Sequence, residues 1–204
     1  MLIEHKGRRP RVAESAYVAP NAVVAGDVVV GEDCRVLFGA VLTAEGDGSI
    51  ELGERCIVME NAVLRGRKAH PVRLGDRVLI GPHAHVNGAD IDDEAFVATG
   101  ASLFPGARLG ARAEIRINGV LHVNSSLAAG AELPIGWVAV GDPAKMFPPD
   151  AHDEIWAVQR TLDFAATVTG LEATALAGDS AMPALTQTYA ALYGHHRDDR
   201  ILNP

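Results

Sequence analysis

From Ile91 to Leu133 an aliphatic residue returns at every sixth position: Ile91, Val97, Leu103, Leu109, Ile115, Leu121, Leu127 and Leu133. A helix repeats near 3.6 and a strand at 2, so neither explains a beat of six. Six residues per short flat face, three faces to a turn, make a coil of about 18 residues. The pattern predicts an all-β solenoid. The same beat runs through Val12, Val18, Val24, Val30, Val36 and Leu42, then Leu52, Val58 and Leu64, then Leu74, Ile80 and Val86. Four places after nearly every beat the residue is small, as at Ala22, Cys34, Ala40, Cys56, Ala62, Ala84, Ala101 and Ser125. Three aliphatic side chains per coil converge on a narrow axis, and a second inward position has room only for a small group. Gly often follows the beat (Gly31, Gly53, Gly75, Gly81, Gly110), where a tight corner favours a residue without Cβ strain.

The beat organises the chain. Residues 1–11 are an N-terminal lead-in that pairs with or caps the first coil. Residues 12–140 are the solenoid, about seven coils of it. Residues 141–170 are a turn and a C-terminal helix, with Asp150 as N-cap, Asp153 and Glu154 in the first turn, and a stripe of Ile155, Val158, Leu162, Ala165 and Val168. Residues 171–204 are a helical extension and tail, with a second helix from about Ser180 to Tyr193 closed by Gly194 and a frayed end from His195. A helix folded back along the coils can cover the open end of a solenoid.

The chain has 204 residues, 5% aromatics and a net charge of −8. The charge argues against a nucleic-acid partner. No apolar run is long enough to span a bilayer, so no membrane partner is expected. Residues 1–10 lack an apolar signal core, and a cytoplasmic location is the expectation. Cys34 and Cys56 occupy the small inward slot and read as buried thiols.

Chemistry is expected where the beat breaks, because loops leave the coil there. The gaps Leu42–Leu52 and Leu64–Leu74 are each ten residues, and Val86–Ile91 is five. These breaks fall in successive coils and carry His70, His83 and His85. His83 and His85 flank Ala84; with Ala84 pointing inward, both imidazoles are expected to point outward on one strand, where they could chelate a metal or meet a partner chain. His122 reads as a surface residue, and no chemistry attaches to His152, His195 or His196.

The repeat, the order of the two insertions, the stretch Leu74-Gly75-Asp76-Arg77-Val78-Leu79-Ile80-Gly81, the following Val86-Asn87-Gly88 and the exit Gly141-Asp142-Pro143-Ala144-Lys145 resemble the γ-class carbonic anhydrase branch of the hexapeptide-repeat superfamily. The resemblance covers residues 10–165. It implies a left-handed parallel β-helix with C-terminal helices packed along it, and a homotrimer with sites at subunit seams. It also implies a zinc ion held by three histidines from two subunits. The matching positions here are Arg65, Pro82 and Asn87, and none can serve: a guanidinium is a permanent cation, proline has no side-chain donor atom and an amide is a poor zinc ligand. No cofactor is therefore expected at the family positions. The family's Gln-Asp pair becomes Met59-Glu60.

The leading functional reading is a γ-carbonic-anhydrase-like trimer with a degenerate zinc site. It would bind or transform a small anionic molecule at the inter-subunit cleft, with Arg65, Asn87, Met59 and His70 as ligand-binding candidates. His83, His85 and Glu60 are the candidates for catalysis. Three other readings stand beside it. One is a CoA-dependent acyltransferase with His83 or His85 as base. Another is a metal-dependent hydratase using displaced ligands, His83 and His85 with His70 of a neighbouring copy. The last is a scaffold whose C-terminal extension recruits a partner.

Overall fold

The computed structural model describes residues 1–171 and 180–202. Among these, three sheets of ten, seven and seven strands form the sides of a left-handed triangular prism. On the ten-stranded side eight strands run parallel, from Leu2–Glu4 to Val138–Val140, and an antiparallel strand closes each end. Every beat residue from Val24 to Leu133 points inward and is buried, stacked rung on rung with its counterparts above and below. The small slot lies inside as expected, with Cys34 and Cys56 as buried free thiols.

The corners refine the expectation for glycine. The residue three places after the beat adopts left-handed backbone, as at Asp33, Arg55, Asn61, Arg77, His83, Glu94, Arg112, Asn118 and Asn124. The glycines directly after the beat do not. Their role is close approach: a Cβ on Gly31 would lie 2.3 Å from the carbonyl oxygen of Gly53 in the next coil. Successive coils touch through backbone there, and any side chain would wedge them apart.

Residues 1–11 are more than a lead-in. Strand Leu2–Glu4 pairs in parallel with Val23–Ala25, placing Leu2 on the core column beside Val24. Leu2 precedes Val12 by ten residues, the spacing of the two later insertions. All three ten-residue gaps leave the prism at one corner, where the ten-stranded side gives way to the side beginning with Arg11–Val12.

Beyond Lys145–Phe147 the chain folds back along the ten-stranded side. The expected single helix is two, α1 (His152–Gln159) and α2 (Phe164–Thr169), parted at Asp163 with φ 46°, and α1 begins after Ala151 with no side-chain cap from Asp150. Helix α3 spans Met182–Gly194 and runs on into a 3-10 turn at His195–Asp198, so Gly194 does not end it. Residues 172–179 and 203–204 of the expected extension lie outside the described residues. The tail is not frayed. Arg200–Leu202 pairs antiparallel with Leu2–Glu4 and satisfies the edge of the first coil. Among the described residues no helix is long and apolar enough to cross a membrane.

Candidate functional site

The two seven-stranded sides differ outwardly. One presents Arg11, Glu51, Arg73, Asp90 and Arg108, with Arg73 and Asp90 paired at 3.0 Å. The other presents Tyr17 and Arg35, then Ile57, Leu79 and Phe96, then Glu114 and Glu132, and its corner onto the ten-stranded side adds Phe38, Ile117 and Ile135, all three exposed.

On the ten-stranded side, strands Val41–Ala44, Val63–Gly66 and His85–Asn87 lie in register, so Thr43, Arg65 and Asn87 form one outward row. Alternation dictates this, because Leu42, Leu64 and Val86 point in. The row lies under the returning C-terminal segment. Arg65 donates from Nη1 to the Tyr193 hydroxyl at 3.2 Å and sits 5.8 Å from that ring's centre. Arg67 donates to the Val168 carbonyl at 2.6 Å and sits 5.9 Å from the Tyr189 ring. Among the described residues neither guanidinium has a carboxylate within 4.0 Å, whereas Arg8, Arg9, Arg11, Arg73, Arg77, Arg108, Arg116 and Arg200 all do. Thr43 Oγ1, Arg65 Nε, Arg67 Nε and Asn87 Oδ1 are buried and find no hydrogen-bond partner among the described residues. A polar atom shut away from water and unpaired costs about 1–3 kcal/mol, so four together mark a place shaped for something else.

Two histidines share this neighbourhood. The pKa of His85 is lowered first by burial and then by Arg65 and Arg67. His70 is lowered by burial and then by Arg67. The other candidates lie elsewhere. His83 is exposed and occupies a left-handed corner position, so it does not share a strand with His85. Met59, Glu60 and Pro82 belong with His83 at the corner where the chain enters the ten-stranded side, and Arg65, Asn87 and His70 belong at the opposite edge where it leaves. The chain does not gather His70, His83 and His85 into a metal-binding group among its described residues.

The family's zinc does not fit its usual positions here. Arg65 is a cation already engaged by Tyr193, and Asn87 beside it offers only an amide. His122 corrects another expectation. It is buried, because Phe164 of α2 lies 5.2 Å from its ring and Phe104 stacks at 5.8 Å. An outward position on a strand is not a surface position when a helix lies across it.

A second cluster, for which sequence reasoning held no chemistry, stands lower on the same edge. His5, Glu45, His196 and Asp199 converge there from three separate segments. The ten-residue spacing from Leu2 to Val12 was the available signal, since it turns residues 5–10 into a loop stacked on the same corner as Glu45.

No protein-family model matches the chain. A Dictyostelium discoideum protein of uncharacterised function is 31% identical over 158 residues, 76% of this chain and 62% of that protein. The mitochondrial gamma carbonic anhydrase 2 of Arabidopsis thaliana is 29% identical over 154 residues, 72% of this chain and 53% of its own. A carbonic anhydrase of Geobacillus kaustophilus is 36% identical over 45 residues, 22% of this chain and 25% of its own. The chain thus spans less than two thirds of the length of each of these relatives. Among solved structures, a Bacillus cereus protein provisionally assigned as an acetyltransferase superposes with a TM-score of 0.55 at 24% identity, over 78% of this chain and 90% of that one. With the triangular coil and the loop order in place, the chain is similar to gamma carbonic anhydrases over part of their length and shares the hexapeptide-repeat β-helix fold.

Proposed function

We propose that the protein works as a homotrimer whose seams bind a small oxyanion on Arg65 and Arg67, in place of the zinc chemistry of its relatives. One observation carries the reading: two half-buried guanidiniums without a carboxylate among the described residues, beside two further side-chain groups of the same row, Thr43 and Asn87, that find no partner there either. Two unpaired Nε–H donors suit a carboxylate or carbonate oxygen. The orphaned Asn87 Oδ1 suits a hydroxyl on the same ligand, so an anion bearing its own O–H, such as bicarbonate or a hydroxy acid, uses both. The apolar stretch Ile57, Leu79 and Phe96 on one seven-stranded side, with Phe38, Ile117 and Ile135 at its corner, supports packing of copies around a common axis. In that arrangement the Glu60–His83 edge of one copy faces the Arg65–Asn87 edge of the next, and the divided candidates meet across the seam.

Melting of the full-length protein in rising bicarbonate, acetate and lactate, against chloride at equal ionic strength, tests this. A ligand at ten times its Kd stabilises by about 1.4 kcal/mol. The melting temperature is expected to rise with the oxyanion and not with chloride, and the rise is expected to vanish in Arg65→Met. Equal responses in the parent and in Arg65→Met would sink the reading. A second reading, acyl transfer from CoA at the same seam, draws on neutral His85, since a general base must be unprotonated. Titration with acetyl-CoA separates it: heat that survives Arg65→Met and is lost in His85→Gln favours the transferase.

A further inference from the structure

The lower cluster joins parts of the chain far apart in sequence. His5 stands on the first loop, Glu45 on the next insertion along the corner, and His196 and Asp199 on the returning tail. His5 Nδ1 donates to one Asp199 oxygen at 2.6 Å, and His196 Nδ1 donates to the other at 2.8 Å. The two rings stack with centres 4.5 Å apart. One carboxylate thus fixes both imidazoles through the same nitrogen and turns both Nε2 atoms away from itself, to one side. Glu45 stands on that side, its oxygen 3.1 Å from His196 Nε2, and the Gly46 amide donates to His5 Nε2 at 3.3 Å. A ring nitrogen of each histidine and an oxygen of Glu45 all lie within 4.8 Å of one another. His5 and Glu45 are buried, and His196 is about one third exposed.

We propose that His5, Glu45 and His196 bind one divalent transition-metal ion, zinc by the character of the donors, with Asp199 anchoring both imidazoles, so that the ion clamps the tail to the first and third coils. Two imidazoles and one carboxylate are a donor set that zinc takes, with solvent as the fourth ligand. Histidines that bind metal ordinarily give their other ring N–H to a carboxylate, which sets tautomer and orientation. Here a single Asp199 does this for both. Tetrahedral zinc with bonds near 2.0–2.1 Å sets its ligands about 3.4 Å apart. Glu45 and His196 already stand close to that, and His196, on the half-exposed tail, can supply the remaining movement. Binding releases to solvent the proton that His196 Nε2 shares with Glu45, and the ion displaces the long Gly46 N–H contact from the lone pair of His5 Nε2. It is distinct from the zinc of the relatives, whose positions carry Arg65, Pro82 and Asn87.

Full-length protein without an affinity tag, stripped with EDTA and titrated with Zn²⁺ and separately with Co²⁺, tests this. One equivalent per chain is expected, with visible Co²⁺ bands of a four- or five-coordinate nitrogen–oxygen site. Glu45→Gln and His196→Gln are each expected to weaken binding about 100-fold or more. Asp199→Asn should weaken it about 10–100-fold, and His195→Gln, on the exposed neighbour, should leave it unchanged. Uptake well below one equivalent by the unaltered protein, or uptake that Glu45→Gln and His196→Gln do not weaken, overturns the proposal. The Co²⁺ bands are read on the unaltered protein, so their absence is decisive whether or not a variant folds.

Discussion

The two polar clusters beneath the returning tail lie on one edge of one sheet and share a neighbour. Tyr193 holds Arg65 on one side, and its ring stacks on His196 at 6.2 Å on the other. Their internal state is opposite. In the lower cluster each named group has found a partner: His5 and His196 on Asp199, His196 on Glu45, and Arg9 and Arg200 on nearby Glu4. In the upper row the cations lack carboxylates among the described residues, and Thr43, Arg65, Arg67 and Asn87 keep buried atoms idle. Closed networks bind parts of the chain to each other, and open ones are left for something else. The contrast separates a cluster whose groups fasten the tail, and on which a metal ion tightens the same fastening, from a row whose buried atoms find no partner among the described residues, although both use the same residue types.

The largest expected effect breaks the fastening. Asp199→Ala strips two imidazoles of their shared acceptor, and removing one partner of such a network costs about 3 kcal/mol. Because the tail can lift without unfolding the solenoid, the loss should appear locally. Amide exchange across strand Arg200–Leu202 is expected to quicken by about 100-fold, that is about 1.4 kcal/mol per factor of ten, while the coil cores at Leu64 and Leu103 keep their protection. Uniform acceleration through the coils would mean that the tail is integral to the prism, and the distinction between the clusters would fail.

A smaller effect of opposite sign is expected above. Asn87→Leu removes a buried oxygen that bonds to nothing and fills similar volume, so the apo protein should be unchanged or more stable by up to about 1 kcal/mol in urea unfolding. Destabilisation by 2 kcal/mol or more, in the range of a broken buried hydrogen bond, would show that the amide is already satisfied and the row already closed.

The prism was legible because its cause is periodic. One inward residue in six, with a small partner four places later, is visible from Val12 to Leu133 without any long-range knowledge. The loops at Glu45 and Arg67 were legible as gaps in that beat. The lower cluster was not, since His5 meets Asp199 across 194 residues and Glu45 meets His196 across 151. Such contacts depend on where the returning helices come to rest, which no local pattern encodes. The strand Arg200–Leu202 is three residues long and gains its meaning only from the edge of Leu2–Glu4. His122 failed for a related reason: alternation set its direction correctly, and Phe164 then covered it.

The finest discrimination comes from protons. Burial lowers His196, but the hydrogen bond to Asp199 and the charge of Glu45 outweigh it, and its pKa rises above 6.5. That stabilisation is complete below 6.5 and is lost as pH climbs through the raised folded value. His85 lies below 6.5 through burial and then through Arg65 and Arg67, and His122 through burial. For these two the unfolded chain takes the proton first, so stability falls as pH drops from 6.5 through their folded values. In metal-stripped protein, histidine ring signals followed by NMR from pH 5 to 8 should therefore split, with His196 titrating late and His85 and His122 early. Arg65→Met should move His85 back toward 6.5 and leave His196 in place. A matching shift of His196 would show that Tyr193 couples the two clusters into one, and a His85 that stays put would remove the cationic field on which the oxyanion reading depends.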